Sequence, residues 1–154
     1  MQPTIRPYEM NDAEMCHRVF FNAVRMGAAS HYSEIERAAW APCPTMPATW
    51  PDKLGSHITY VAQVSDIIGF ITLGVDGYLD LAFVAPGYMG QGIGKTLYHA
   101  VLQDERAIGL TELTTEASHL ARPFFESLGW KVKSEQQVER RGVLLTNFCM
   151  YKNL

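Results

Sequence analysis

The residues with the clearest chemical character lie in a glycine-rich stretch, GQGIGKT, at positions 90–96. Glycines at 90, 92 and 94 let the backbone approach an anion closely, because no Cβ atom stands in the way. A helix that starts in this stretch adds unpaired N–H groups and the positive end of its dipole. Lys95 and Thr96 supply further donors in the first helical turn. The spacing therefore predicts a binding loop for a diphosphate or a similar anion.

Two common nucleotide-binding motifs fit this stretch less well. The phosphate loop of NTPases, GxxxxGK[ST], needs a glycine where Met89 stands. The strand predicted before the loop also carries Asp80, whereas strands buried on both faces are nearly continuous apolar runs. The dinucleotide motif GxGxxG needs a glycine where Lys95 stands and a βαβ unit around it. The sequence thus disfavours ATP and dinucleotides, and it leaves another diphosphate ligand.

The strand predicted at residues 78–84 carries the first candidate for acid–base chemistry, Asp80. By strict alternation, one face of this strand holds Tyr78, Asp80, Ala82 and Val84, and the other holds Leu79, Leu81 and Phe83. A carboxylate in mid-strand beside the loop is placed to accept a proton during a reaction. It is equally compatible with an ordinary solvated strand face.

Three more residues are candidates for moving a proton. Glu116 ends the strand that follows the glycine loop, although a plain surface carboxylate is the simpler interpretation. Histidine is the side chain that most readily changes charge near neutral pH. His31, before the second predicted helix, and His119, in a loop, are therefore candidate acids or bases, while solvated histidines are also common in loops.

Composition excludes several classes of function. The chain has 154 residues, of which 47% are hydrophobic and 19% charged, and its net charge is −3. A single domain covering residues 1–154 is expected. Nucleic-acid binding is not expected, because Arg140-Arg141 is too short for a basic stripe. The three cysteines match no zinc or redox motif. No apolar run is long enough for a membrane span and no signal-peptide core is visible, so a cytoplasmic protein is expected.

The elements that must position these residues follow from periodicity and turn signals. Predicted strands cover residues 4–7, 58–63, 66–73, 78–84, 112–116, 130–138 and 143–151. Predicted helices cover residues 12–27, 34–40, 92–107 and 121–128, with caps at Asn11 or Asp12 and at Ser33. Residues 41–51, with four prolines, are predicted to form an irregular loop. The order βααβββαβαββ indicates an α+β domain with a mixed sheet.

Two sequence blocks resemble the signatures of the GNAT acetyltransferases. The first, VAPGYMGQGIG at 84–94, follows a strand and opens a helix, as the coenzyme A loop of that family does. The second, ASHLARPFFESLGW at 117–130, resembles the later signature, a short helix with a small residue and an aromatic. The stretch HYSEIERAAWAP at 31–42 is similar to one branch of small bacterial single-domain members. The resemblance covers essentially the whole chain.

The resemblance implies an acyl-CoA N-acyltransferase fold, with a mostly antiparallel central sheet whose middle strands splay apart. It implies an enzyme that moves the acetyl group of acetyl-CoA to a primary amine of a small molecule or peptide, without a metal. The amine would attack the thioester directly in a ternary complex. The alternatives are a transferase for a longer acyl-CoA and a CoA-binding sensor without turnover. A small-molecule amine is the expected partner, and the chain is expected to be a monomer or a homodimer.

The resemblance also implies a set of donor-binding residues. They are Phe83, Val84, Met89, Gly90, Gln91, Gly92, Ile93, Gly94, Lys95, Thr96, Ser118, Ala121, Phe124 and Phe125. Three of them depart from the family pattern. Met89 stands where Arg or Gln is usual, and Ser118 where Asn is frequent. Phe125 stands where a tyrosine often protonates the leaving thiolate, so the acid is left open.

The acceptor side is expected around the second predicted helix. Tyr32 precedes that helix, Glu36 lies on it, Trp40 ends it, and Tyr78 begins the strand of Asp80. Aromatic side chains over a pocket can stack on a flat ligand or attract a cation. These residues favour a small, partly apolar or aromatic amine, with Glu36 suited to its charge.

Overall fold

A seven-stranded sheet organises the chain, of which the computed structural model describes residues 2–154. The strands are β1 Thr4–Pro7, β2 Ile58–Gln63, β3 Ile67–Leu73, β4 Tyr78–Val84, β5 Glu112–Ala117, β6 Lys131–Arg140 and β7 Val143–Asn153. The helices are α1 Ala13–Asn22, α2 Glu34–Trp40, α3 Trp50–Gly55, α4 Ile93–Leu102 and α5 Arg122–Ser127. There are also three short helical segments. Met10–Asp12 precedes α1, Ala23–Gly27 extends α1, and Pro86–Tyr88 follows β4.

The sheet has a helical layer and an apolar core on each face. Its order is β1-β2-β3-β4-β5-β7-β6, and all neighbours are antiparallel except β4 and β5. Phe70 and Ile71, adjacent on β3, point to opposite cores because side chains alternate along a strand. Phe70 packs with Cys16 of α1 and Leu54 of α3, whereas Ile71 belongs to the core that contains Leu97 of α4. The α+β class and the mostly antiparallel sheet are confirmed.

The parallel pair β4–β5 is open over most of its length. The two strands pair only at Tyr78 with Thr114 and at Leu79 with Thr115. The Thr115 hydroxyl donates to the Leu79 carbonyl oxygen at 2.7 Å, and beyond this bond the strands separate. The sheet is therefore divided by a gap into a β1–β4 part and a β5–β7 part, as the expected splay requires.

A β-bulge at Asp80 sits beside the start of this gap. Leu79 pairs with Leu73, but Leu81 pairs with the adjacent Thr72, so Asp80 is an extra residue on β4. An extra residue bends the strand and changes which face the following side chains occupy. The bend carries β4 away from β5.

The bulge makes the strict alternation expected along β4 wrong. Leu79 lies in the α4-side core together with Ala82 and Val84, whereas Leu81 and Phe83 pack on the α1 side. Leu79 therefore does not share a face with Leu81. One inserted residue shifts the two-residue period by one, which the sequence pattern alone did not reveal.

The helix starts follow local side-chain chemistry. Ser33 caps α2 as predicted, because its hydroxyl accepts from the Glu36 N–H at 3.1 Å while the Ser33 N–H donates to the Glu36 carboxylate at 2.8 Å. The expected cap position at Asp12 of α1 is confirmed, but the Asp12 side chain makes no capping hydrogen bond to α1, because a short helical turn, Met10–Asp12, precedes that helix. The Asp12 carboxylate instead accepts from the Glu9 N–H at 2.8 Å.

Two helix predictions need correction. The predicted loop 41–51 ends in an additional helix, α3, whose start accommodates Pro51 because a proline in the first turn loses no intrahelical bond. The helix predicted to reach residue 107 ends at Leu102. Asp104 draws the chain into a turn there, because its carboxylate accepts from the Arg106 N–H at 3.0 Å. No helix within residues 2–154 is long and apolar enough to cross a lipid bilayer.

Candidate active site

Two cavities meet at the gap between β4 and β5. The loop cavity, of about 440 Å³, lies beside the glycine loop and is lined by residues 23, 70, 71, 82–84, 88–90, 92–95, 97, 118, 120, 121, 124, 125 and 127. The hairpin cavity, of about 400 Å³, lies beside the β6–β7 hairpin and is lined by residues 20, 32, 40, 50, 53, 78–83, 115–118, 121, 125, 138, 140, 141 and 145–147. The residues shared by both walls are Ala82, Phe83, Ser118, Ala121 and Phe125.

The glycine loop is built to present backbone amides. Gly90 has φ +78° and Gly92 has φ +81°, a left-handed conformation that side chains disfavour, and no protein atom crowds either position. Between Met89 and Thr96, no backbone N–H donates a hydrogen bond within residues 2–154. The Thr96 N–H donates to Gly92 O at 3.1 Å. The N–H groups between Met89 and Thr96, at the start of α4, are free for an anion.

The other residues of the loop fix its packing. A Cβ atom on Gly94 would lie 3.2 Å from the Phe124 ring, so this glycine permits the close approach of α4 and α5. The Thr96 hydroxyl donates to Gly92 O at 3.0 Å and is thus used to hold the loop. The Met89 side chain lies against Gly27, which ends the segment that extends α1. All predicted donor-site residues line the loop cavity except Gln91 and Thr96.

The junction of the cavities holds a single hydroxyl group. Ser118 Oγ accepts from the Ala121 N–H at 3.1 Å at the start of α5, which leaves its own hydrogen free to donate. Phe125 is buried, with its ring centroid 4.9 Å from that of Trp130. Neither Ala82 nor Phe83 carries a polar side-chain atom. Of the five shared residues, only Ser118 can donate a hydrogen bond from its side chain.

Two carboxylates and a phenol lie together in the hairpin cavity. Asp80 and Glu116 reach it from β4 and β5, and Tyr78, at the start of β4, lines the same cavity. Burial, reinforced by the negative charges of Glu116 and Asp80, raises the pKa of Tyr78 to about 12. The phenol is therefore neutral at physiological pH and can donate a hydrogen bond. Asp80 also forms an ion pair with Lys53, with 3.4 Å between Oδ2 and Nζ.

Aromatic residues form another wall of the hairpin cavity. The Tyr32 hydroxyl donates to Thr146 O at 2.7 Å and accepts from the His119 N–H at 2.9 Å. Burial is the main cause that raises the pKa of Tyr32. The Trp40 ring lies 5.5 Å from the Tyr32 ring and 6.2 Å from the Phe83 ring. Tyr32 is thus a structural link, and Trp40 is the larger exposed surface for a ligand.

Comparison with known proteins identifies the family. Residues 29–152 match the family described as "Acetyltransferase (GNAT) domain". The chain belongs to the GNAT acetyltransferases. It is 35% identical over 147 residues to the uncharacterized N-acetyltransferase YafP of Escherichia coli, and the match covers 95% of this chain and 93% of YafP. This GNAT chain is an acetyltransferase, and acetyl-CoA is its acetyl donor.

Solved structures give the same fold. A GCN5-related N-acetyltransferase from Rhodopseudomonas palustris superimposes with a TM-score of 0.92 at 31% identity, over 100% of this chain and 97% of that one. The PaiA N-acetyltransferase of Thermoplasma acidophilum, in complex with coenzyme A, superimposes with a TM-score of 0.76 at 22% identity, over 100% of both chains. The second likeness concerns the fold alone. The GNAT-like fold expected from the sequence is confirmed.

Three of the residues predicted for acid–base chemistry or acceptor binding in this GNAT chain line neither cavity. His119 packs on Phe148, with 5.0 Å between ring centroids, and stacks at 6.2 Å on the exposed His31. The Glu36 carboxylate binds the Ser33 N–H as part of the α2 cap. The structure therefore brings Asp80, Glu116, Tyr78, Tyr32 and Trp40 together, and it places these three side chains elsewhere.

Four residues of the hairpin cavity that carry a cationic or amide side chain were not predicted from the sequence of this GNAT chain. They are Lys53, Arg140, Arg141 and Asn147. Arg141 and Gly142 both have positive φ, 50° and 79°, in the two-residue turn that joins β6 to β7. The sequence Arg-Arg-Gly between two strand patterns was a usable hairpin signal. Nothing local indicated that the hairpin tip would face Asp80, because that depends on the order of the strands.

Proposed function

We propose that this chain acetylates a primary amine of a small molecule, by direct attack of the amine on acetyl-CoA while both are bound. The whole chain would act as one domain. The observation that carries the proposal is the meeting of the two cavities at the β4–β5 gap. A donor in the loop cavity and an acceptor in the hairpin cavity can touch at that point, and bringing two reactants together lowers the entropic barrier to their reaction.

The loop cavity fits the donor. Free amides at the start of α4 and the left-handed Gly90 and Gly92 suit a diphosphate, and Lys95 adds a positive charge. Beyond Leu79, β4 has no partner on its β5 side, so backbone groups on that edge are available to the amides of the pantetheine arm. The thioester would then lie near Phe83 and Ser118, at the junction of the cavities.

The hairpin cavity contains groups that can accept the proton that the amine must lose. Asp80 and Glu116 can accept it directly or through a water molecule, because a carboxylate positioned near the reacting nitrogen acts as a general base. Tyr78, neutral at physiological pH, can donate a hydrogen bond to a carboxylate or to the ligand. In the transfer, a C–N bond forms, the C–S bond breaks and the nitrogen loses one proton.

The departing thiolate needs a hydrogen-bond donor or a proton. Phe125 supplies neither, whereas Ser118 at the junction keeps a free hydroxyl hydrogen, because its Oγ accepts from the Ala121 N–H. A serine hydroxyl is too weak an acid to give up its proton at neutral pH, so we assign Ser118 the role of stabilising the thiolate. The proton itself would then come from solvent.

Acetyl transfer can be tested by following thiol release from acetyl-CoA with a panel of primary amines, with mass spectrometry of each product. The proposal predicts turnover of at least one small amine and no covalent acetyl-protein after denaturation. Calorimetric titration with CoA supplies the control for donor binding. Tight CoA binding without turnover of any amine would contradict the proposal and favour a CoA-binding sensor. Acetylation of peptides alone would contradict the small-molecule acceptor.

A further inference from the structure

The hairpin cavity carries charges of both signs, and they occupy different places. Asp80 stands two positions before Ala82, and Glu116 stands two positions before Ser118. Because Ala82 and Ser118 lie at the junction of the two cavities, the negatively charged end of the hairpin cavity lies at the gap between β4 and β5. Lys53 pairs with Asp80. Within residues 2–154, Glu116 forms no ion pair. An incoming ammonium group would therefore meet an unpaired carboxylate at the place where the thioester is expected.

The positive end lies at the tip of the β6–β7 hairpin. Arg141 is held there because its Nη1 donates to Ala39 O of α2 at 2.7 Å. Arg140 contacts its neighbour through Nη1, which donates to Glu139 O at 3.1 Å. In the described part of the chain neither guanidinium pairs with a carboxylate. Both line the cavity with unused donors, and Arg side chains bind oxyanions in a bidentate way.

The register of β7 gives the separation of the two ends. Val143 of β7 lies opposite Arg140, and Cys149 lies opposite Glu116. Six residues of extended strand correspond to about 20 Å between these two backbone levels. Because extended Arg and Glu side chains together span about 12 Å, their charged groups stay about 8 Å or more apart even when they lean toward each other, so a ligand that contacts both must be elongated. An α-amino acid, with its two charges on neighbouring groups, is too short.

The middle of the cavity suits an apolar body with one polar contact. Trp40 and Phe83 form part of its wall. Asn147, on β7 between the two charged ends, has a buried Oδ1 atom without a hydrogen-bond partner among the described residues. Buried polar atoms are usually paired, so an unpaired one on a residue that lines the cavity points to a ligand donor.

We propose that the acceptor is an elongated amine whose far end carries an oxyanion, a carboxylate or a phosphate. The amine lies at Glu116 and the oxyanion at Arg140 and Arg141, with a flat or apolar body between them. This inference rests on the proposed acetyl transfer and names the substrate class of the same site. Electrostatic complementarity at both ends would fix the orientation in which the amine faces the thioester.

The test compares kcat/KM for para-(aminomethyl)benzoate and its uncharged isostere, para-(aminomethyl)benzamide. We expect the wild-type protein to favour the benzoate by about tenfold or more, as for a charge-assisted hydrogen bond. Arg140→Gln should remove this preference, so that kcat/KM for para-(aminomethyl)benzoate falls about tenfold or more relative to that for para-(aminomethyl)benzamide. Lys133→Gln, an exposed cation on β6 outside the cavity, is the matched control and should retain the preference.

Further arms separate the remaining possibilities. The corresponding phosphonate distinguishes a phosphate-like end from a carboxylate end, and phenylalanine tests whether the charges must be far apart. Equal kcat/KM for benzoate and benzamide, or a preference for phenylalanine, would overturn the inference while acetyl transfer stands. If no amine is turned over, the proposed function fails. Calorimetry then still tests the preference for a charged far end. It compares the affinities of para-(aminomethyl)benzoate and para-(aminomethyl)benzamide for the CoA-loaded wild-type protein and for the CoA-loaded Arg140→Gln variant.

Discussion

The Thr115 hydroxyl donates to the Leu79 carbonyl oxygen at 2.7 Å, and this bond is the last link between β4 and β5 before they separate. Thr115 is buried, so its removal leaves a carbonyl without a partner in an apolar environment. We expect Thr115→Val to lower the free energy of unfolding by about 1–3 kcal/mol. Urea denaturation followed by circular dichroism measures this change.

The neighbouring threonine on β5 supplies the control for this experiment. Thr114 is exposed and makes no side-chain hydrogen bond to β4 within the described chain, so Thr114→Val should change the free energy of unfolding by less than about 0.5 kcal/mol. An equal loss in both variants would show that the hydroxyl of Thr115 has no special role at the gap.

The conformation of the glycine loop can be predicted from the sequence because its signals are local. Gly90, Gly92 and Gly94 lie within one turn, and their conformational needs are decided by residues next to them in the chain. Ser33 and Glu36 likewise form a capping box over four consecutive residues. Such features do not depend on which strands become neighbours.

The acceptor side was only partly predicted because it is assembled from distant segments. The bulge at Asp80 depends on pairing with Thr72 and Leu73, and no turn residue marks it. The charge of Arg140 acts on Tyr78 only because β7 lies between β5 and β6 in the sheet. Strand order is a property of the whole fold, so residue types and spacing alone did not indicate these contacts.

The two carboxylates of the hairpin cavity should control the rate of acetyl transfer. If Glu116 accepts the amine proton, Glu116→Gln should lower kcat/KM by about 100-fold, the usual size of a general-base contribution. Asp80→Asn should have a smaller effect, because Lys53 already neutralises that carboxylate. Initial rates of thiol release with saturating acetyl-CoA measure both changes.

Glu112→Gln is the matched control for the loss of a carboxylate on β5. Glu112 is exposed at the start of the strand and does not line the hairpin cavity, so its variant should keep wild-type kcat/KM. If Glu116→Gln keeps wild-type kcat/KM as Glu112→Gln does, the proton is removed by a water molecule in contact with bulk solvent and not by Glu116.

Ser118 should affect the departure of the thiolate and the stability of α5 separately. Ser118→Ala removes both the free hydroxyl hydrogen and the acceptor for the Ala121 N–H, whereas Ser118→Thr keeps them. We expect a fall in kcat of about tenfold and a loss of about 1 kcal/mol of unfolding free energy for the alanine variant. A variant that loses stability but keeps kcat would limit Ser118 to holding the turn before α5.

Phe125→Tyr should reveal whether proton delivery limits turnover. Phe125 lines both cavities at the junction, so a phenol at this position would place an acid beside the thiolate. We expect kcat to rise, together with a new dependence of kcat on pH at high pH. Unchanged kcat, with the melting temperature retained, would show that chemistry at the sulfur is not the slow step.

Acid should weaken the fold through the ion pair of Arg6 and Asp12. The guanidinium donates to the carboxylate at 2.8 and 2.9 Å, and this contact is the main cause that lowers the pKa of Asp12. Because the folded pKa lies below the unfolded value of about 3.9, the pair stabilises the protein above about pH 4. Its contribution is lost as the pH falls through the folded pKa.

The variants of this pair predict a flatter pH profile. Asp12→Asn and Arg6→Gln should each lower the free energy of unfolding at pH 6 and reduce its fall between about pH 5 and pH 2. Urea titrations at several pH values supply the measurement. If the free energy of unfolding depends on pH in both variants as it does in the wild-type protein, the acid sensitivity is caused by other carboxylates.

Donor binding should depend on the backbone conformation of Gly92. Its φ of +81° lies in the left-handed region, so Gly92→Ala should strain the turn by about 1 kcal/mol and rotate the amides at the start of α4 away from the diphosphate. We expect CoA affinity, measured by calorimetry, to fall about tenfold or more. Gly87→Ala is the control, because Gly87 has no positive φ and a Cβ there meets open space. Equal CoA affinity in the two variants would show that the amides of this loop do not hold the diphosphate.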